Sequence, residues 1–114
     1  MAEPGNDAIA DYFEAIDRVP RLSDDEQTEL VRTIRAGGDE ALAANKKLIE
    51  ASLYIIPPIA HRYEGQGVAF LDLVQEGNVG LMRAIERFAT DAGSFSRFAG
   101  ECIENAIVEV IRGH

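Results

Sequence analysis

The sequence contains no tryptophan, a single cysteine, and 11 basic residues against 20 acidic ones. Each scarcity excludes something. A lone Cys102 cannot close an intrachain disulfide, which suits a reducing compartment, and its ordinary place is a small apolar core position. The formal net charge of -9 opposes a polyanion at long range, so unaided nucleic-acid binding is disfavoured. Such a balance fits either a well-solvated acidic surface or an acidic docking face. No apolar run approaches the roughly 20 residues that span a bilayer, and the opening Met-Ala-Glu-Pro-Gly-Asn lacks the basic-then-apolar order of a secretory signal. The chain is therefore expected to be soluble and cytoplasmic, without membrane association.

Catalytic signatures are equally scarce. Ser23, Ser52, Ser94, Ser96 and Cys102 stand in no pattern that links a nucleophile to a base. The imidazoles, His61 and His114, form no zinc spacing with Cys102. Gly65-Gln66-Gly67 is followed by no lysine, so it is not a phosphate loop, and Asp24 and Asp25 suit a helix N-terminus, whose dipole they complement. No enzyme, metal site or cofactor is expected.

What remains is helical periodicity in a chain of 114 residues with 46% hydrophobic content, enough for one globular core. Ile9, Tyr12, Phe13 and Ile16 fall three and four apart over Asp7 to Val19, as one helix face requires, and Pro20 ends that helix. Ser23-Asp24-Asp25-Glu26 reads as a capping box for a second helix with Leu30, Val31 and Ile34 inward. Gly37-Gly38 stops it, and Asp39 is placed to cap a long third helix carrying Leu42, Leu48, Ile49, Leu53, Ile56 and Ile59. Pro57 and Pro58 should break that helix near Tyr54 to Ile56.

After the Gly65 to Gly67 loop, Leu71 to Phe88 forms a fourth helix with Leu73, Val74, Leu81, Ile85 and Phe88 for the core. Gly77 and Gly80 cost about 1 kcal/mol each against alanine inside a helix, so close approach of another backbone is the expected reason for them. Phe95, Phe98, Ala99, Cys102, Ile103, Ala106, Ile107 and Val110 then follow the helical rule without interruption. No segment alternates with period two, and the fold is read as all-α, a compact bundle of about five helices.

The run Phe70-Leu71-Asp72-Leu73-Val74-Gln75-Glu76-Gly77-Asn78-Val79-Gly80-Leu81-Met82-Arg83-Ala84-Ile85-Glu86-Arg87-Phe88 is very similar to the core-binding helix of the sigma-70 family of RNA polymerase factors. Arg18-Val19-Pro20-Arg21-Leu22-Ser23, Leu48-Ile49-Glu50-Ala51-Ser52-Leu53 and Ile59-Ala60-His61-Arg62-Tyr63 resemble the family's preceding segments. The resemblance runs from about Asp7 to Arg112 and implies the family's first and second conserved regions, a sigma-70 region 2 like fold. The expected layout is one sigma-like helical domain over residues 7–114 after a disordered stretch at 1–6. Nothing resembles the family's C-terminal helix-turn-helix domain.

The polar positions Asp72, Gln75, Glu76, Asn78 and the apolar Met82 spread over about half of a helix at about 100° per residue. In the family, the matching positions contact the coiled-coil clamp helices of the polymerase β′ subunit. The resemblance therefore implies that Asp72 and Glu76 pair with basic clamp residues, Gln75 and Asn78 hydrogen-bond, and Met82 adds adaptable apolar contact.

The following helix departs from the family, whose aromatic and basic residues there capture flipped bases of the minus-ten promoter element. Aligned through Phe95, Ser96 and Ile107, the family's paired tryptophans fall on Glu101 and Cys102, its next arginine on Glu104 and its promoter-reading glutamine on Asn105. Only Phe98 keeps an aromatic ring near the opening. The loop before this helix is one residue short, Ser52 and Tyr54 replace the family's usual types, and acids outnumber bases from Ala89 to His114.

The expected function is therefore a sigma-like transcription regulator that binds RNA polymerase core but does not melt promoter DNA. The alternatives are a divergent sigma factor, or a fragment or subunit of one, that still binds DNA in initiation, either alone or with a second sigma-like subunit supplying the missing reader, and an interaction domain that binds a sigma regulator.

Overall fold

The computed structural model describes residues 4–91 and 93–113, with side chains from Ala10 onward. Among these residues the chain forms six α-helices, one 3-10 turn and no strand. They are α1 (Pro4–Arg18), α2 (Asp24–Ala36), α3 (Ala41–Ser52), α4 (Ile56–His61), α5 (Phe70–Arg87) and α6 (Phe95–Gly113), with the 3-10 turn at Leu53–Ile55. If α3, the turn and α4 are taken as one interrupted helix, this is the expected bundle of five.

The interruption has the cause that the sequence suggested. Pro57 and Pro58 fall in the first turn of α4, where a missing N–H removes nothing because those donors have no intrahelical partner. The tighter Leu53–Ile55 turn joins α3 to α4.

At α2, Ser23 Oγ accepts from the Glu26 N–H and the Ser23 N–H donates to Glu26 Oε1, each at 3.1 Å. This reciprocal cap satisfies two orphan donors and holds the Glu26 carboxyl below its ordinary pKa, chiefly through the Ser23 N–H. Gly37 closes the far end with φ of +72° and its N–H on Ile34 O, a conformation open to glycine.

Two expectations fail at α3. A tight turn with Ala41 N on Gly38 O at 3.3 Å precedes this helix, whose N-cap is Glu40 without any side-chain cap bond, so Asp39 does not cap it. Leu42 is 80% exposed, because at about 100° per residue it lies nearly opposite the stripe of Ala44, Leu48 and Ala51 that faces the core. At the chain's beginning, α1 starts at Pro4, ahead of the expected Asp7. Residues 1–3 and the Ile9 side chain lie outside the described residues.

The core is one cluster in which Val31 and Leu48 meet Ile56, Leu73, Leu81, Phe88, Phe95, Ile103 and Ile107. Its densest part is the hairpin of α5 and α6. Phe88 and Phe95 meet edge-on across the connecting loop with ring centroids 5.4 Å apart, a favoured aromatic geometry.

Above them, Gly80 lies against the α6 backbone, where an added Cβ would stand 2.5 Å from Cys102 O and 2.6 Å from Ile103 Cα. Close backbone approach thus explains Gly80. At Gly77 the obstacle is a side chain, with Ile56 Cγ2 at 2.6 Å from the same hypothetical atom.

A second tie holds the end of α5: Arg35 donates to Ile85 O at 3.4 Å and Glu86 O at 3.3 Å. It occupies helix-end carbonyls and sets a positive charge against the negative end of the dipole.

Replacing Gly80 with alanine should destabilise the protein by about 1–3 kcal/mol through overpacking, despite the gain of about 1 kcal/mol in helix propensity. Gly77→Ala should cost less, since only a side-chain methyl must give way. Urea unfolding followed by far-UV circular dichroism checks this, and equal losses would contradict the backbone-contact account.

Candidate functional site

Helix α5 is divided lengthwise. Leu73, Val74, Gly77, Gly80, Leu81, Ala84 and Ile85 are buried against the bundle, and the remaining arc is open. On that arc Asp72 and Gln75 are exposed, Glu76 and Asn78 half-buried, and Met82 55% exposed. The five positions singled out in the sequence therefore share one face.

Leu71 and Val79, which sequence reasoning left out, lie on this arc and are 40% and 38% exposed. At about 100° per residue Leu71 falls beside Met82, and Val79 falls between Gln75 and Asp72. The face is thus a mixed one, with three apolar side chains among four polar ones. Two apolar residues off the core stripe were the available signal.

The side-chain bond that α5 makes to α6 runs from Arg83 to Glu109 at 3.3 Å, at the border of the face. Among the described residues, it leaves Asp72, Gln75, Glu76 and Asn78 without an internal side-chain partner. Beyond Met82 the surface continues into a groove of about 370 Å³ that also takes in Ile34, Arg35 and Asn45. This arrangement can accept hydrogen bonds and cations along one helix and cover them with apolar contact, the composition of a docking surface rather than of a reaction centre.

The positions matched to promoter reading scatter. Phe98 is half-buried with its ring 5.8 Å from that of Phe88, so its π surface is engaged in the core. Cys102 is half-buried between α5 and α6, where burial pushes its thiol pKa up. Ser52 is fully buried with its hydroxyl unpartnered among the described residues. Tyr54 lies beneath Arg21, whose guanidinium carbon is 4.1 Å from the ring centre.

Glu101, Glu104 and Asn105, by contrast, come together with Arg62 and Arg97 along a groove of about 440 Å³ between α4 and α6. Glu104 is committed inside it. One carboxylate oxygen accepts from Arg62 at 2.8 Å and the other from the Tyr63 hydroxyl at 3.1 Å. Loss of solvation, and then this bond, raise the Tyr63 pKa. The pairing spans 42 residues, and no local spacing announces it.

Among the described residues no cluster of His, Cys, Asp and Glu is arranged to hold a metal ion, and no helix is long and apolar enough to cross a membrane. Comparison with known proteins adds the lineage. Residues 56–114 match the family model described as Sigma-70 region 2, a stretch holding α4, α5 and α6 with both surfaces above. RNA polymerase sigma factor SigA of Lactococcus lactis subsp. cremoris is 44% identical over 107 residues, covering 93% of this chain and 29% of that protein. SigA of Listeria monocytogenes is 44% identical and SigA of Clostridium acetobutylicum 43% identical, each with 93% of this chain and 28% of the relative covered. The chain spans less than a third of the length of these relatives. A family match over the α4 to α6 segment, carried on an all-helical frame and extended by sequence identity through α2 and α3, makes this chain a member of the sigma-70 family.

Proposed function

We propose that this chain is a sigma-factor-like transcription regulator that docks on RNA polymerase core through the open face of α5 and acts in initiation without melting promoter DNA itself. The partner surface is the pair of β′ clamp helices. Asp72 and Glu76 meet basic side chains there, Gln75 and Asn78 hydrogen-bond, and Met82, flanked by Leu71 and Val79, closes the contact. Work on polymerase would place the chain in the cytoplasm.

The observation that carries the reading is the continuous open arc of α5, polar and apolar together, on the helix whose other side is locked in the core. The non-melting part is supported by the other surface. Flipped bases need aromatic faces worth roughly 1–3 kcal/mol per base, whereas Phe98 is turned to Phe88 and the groove beside it carries Glu101 and Glu104. Identity of 44% to an RNA polymerase sigma factor over 93% of the chain favours a second reading, a divergent sigma factor that still binds DNA in initiation, either alone or with a second sigma-like subunit supplying the missing base reader.

Tagged protein should retain polymerase core in a pull-down, and a competing sigma factor should displace it. The folded double variant Gln75→Ala, Glu76→Ala should bind core more than tenfold more weakly, given about 1.5–3 kcal/mol for a hydrogen bond to a charged group. Unchanged affinity would remove α5 as the contact.

For DNA, a fluorescence-anisotropy titration of the unaltered chain should show no preference for a single-stranded minus-ten sequence over a scrambled strand, even at low salt. Sequence-specific binding in the micromolar range would put the divergent sigma factor first.

A further inference from the structure

The groove between α4 and α6 carries two arginines, Arg62 and Arg97, and two glutamates, Glu101 and Glu104. One of its cations, Arg62, has already been given an anion by the chain itself. Glu104 uses both carboxylate oxygens at once, one on the Arg62 guanidinium and one on the Tyr63 hydroxyl. This is the two-donor grip that a phosphate oxygen pair would receive from the same residues.

A structural purpose accounts poorly for it. The Arg62 and Glu104 side chains are 59% and 36% exposed, and an ion pair with that much water contributes about 0.2–1 kcal/mol to stability. The α4 and α6 contact is already made by buried Ile56, Ile59, Ala60, Ala99 and Ile103.

We infer that Glu104 is an internal anion that latches the groove shut against nucleic-acid phosphates by occupying Arg62 and Tyr63, with Glu101 repelling what approaches Arg97. The inference rests on the reading that the chain does not engage DNA strands alone, and it names the group responsible. The acid acts by competition. A phosphodiester must displace a carboxylate that is covalently part of the site, present at high effective concentration, and aligned on both donors. Neutralising that one side chain removes the charged acceptor that holds both donors and leaves the groove with a net positive charge.

The test compares the full chain with its Glu104→Gln variant for binding of a fluorescein-labelled single-stranded oligothymidylate at low ionic strength, read by anisotropy. Glutamine keeps the shape and removes the charge. Glu104→Gln should bind about tenfold more tightly than the parent, with a gain that fades as salt rises, and adding Arg62→Gln should cancel the gain. Glu109→Gln serves as the control, because Glu109 is also an exposed acid of α6 paired with an arginine, Arg83, but lies outside the groove.

An equal gain from Glu109→Gln would show that only overall charge matters and would overturn the latch. So would an unchanged affinity in folded Glu104→Gln, or a gain that survives loss of Arg62. The unaltered chain's own binding to promoter strand tests the underlying reading separately. Tight binding there defeats that reading, whereas the ratio between variant and parent bears on the latch alone.

Discussion

The contact between Gly80 and the α6 backbone at Cys102 and Ile103 is the constraint on which the rest of this molecule is built. Two helices that close leave no room for a side chain between them, so their relative position is fixed by main chain on one side and by Ile56 lodged beside Gly77 on the other. Interiors at crystal-like density resist small displacements. The position of α6 relative to α5 is accordingly discrete, and whatever α5 presents outward is referred to the same frame.

This explains how a single helix can serve both as core and as surface. Its glycine side is immobilised, and the opposite arc carries the partly exposed Leu71, Val79 and Met82. Such apolar exposure on a polar helix is unfavourable in water unless something covers it, and a preorganised face loses little freedom when it is covered. The groove on the other side of α6 has the reverse character. Its central pair, Arg62 and Glu104, is satisfied internally, so those two groups are not open to a partner.

Much of this arrangement was legible in the sequence, because it is written in local terms. The capping box at Ser23 and Glu26, the break at Pro57 and Pro58, and the periodicity of α6 each involve residues within one or two turns. The glycines of α5 announced a close neighbour, although only Gly80 meets backbone.

Other features depend on register or on distant partners. Leu42 fits a helical spacing but falls on the water side once the α3 stripe is set by Ala44 and Leu48. Leu71 and Val79 look like ordinary apolar helix residues until the buried arc is known. Glu104 and Arg62 are joined only by the fold, and so the identity of Glu104 as an acid was visible while its occupation was not.

The bond from Arg35 to the last carbonyls of α5 has a consequence for where the domain can be cut. The segment recognised by the family model begins at Ile56, yet the helix at its centre is finished by a residue that precedes it by 21 positions. A fragment trimmed to that boundary would leave Ile85 O and Glu86 O without their guanidinium and would open Leu81, Ile85 and their neighbours where Val31 and Leu48 now close the cluster. The smallest autonomous unit is thus larger than the stretch by which the lineage is recognised.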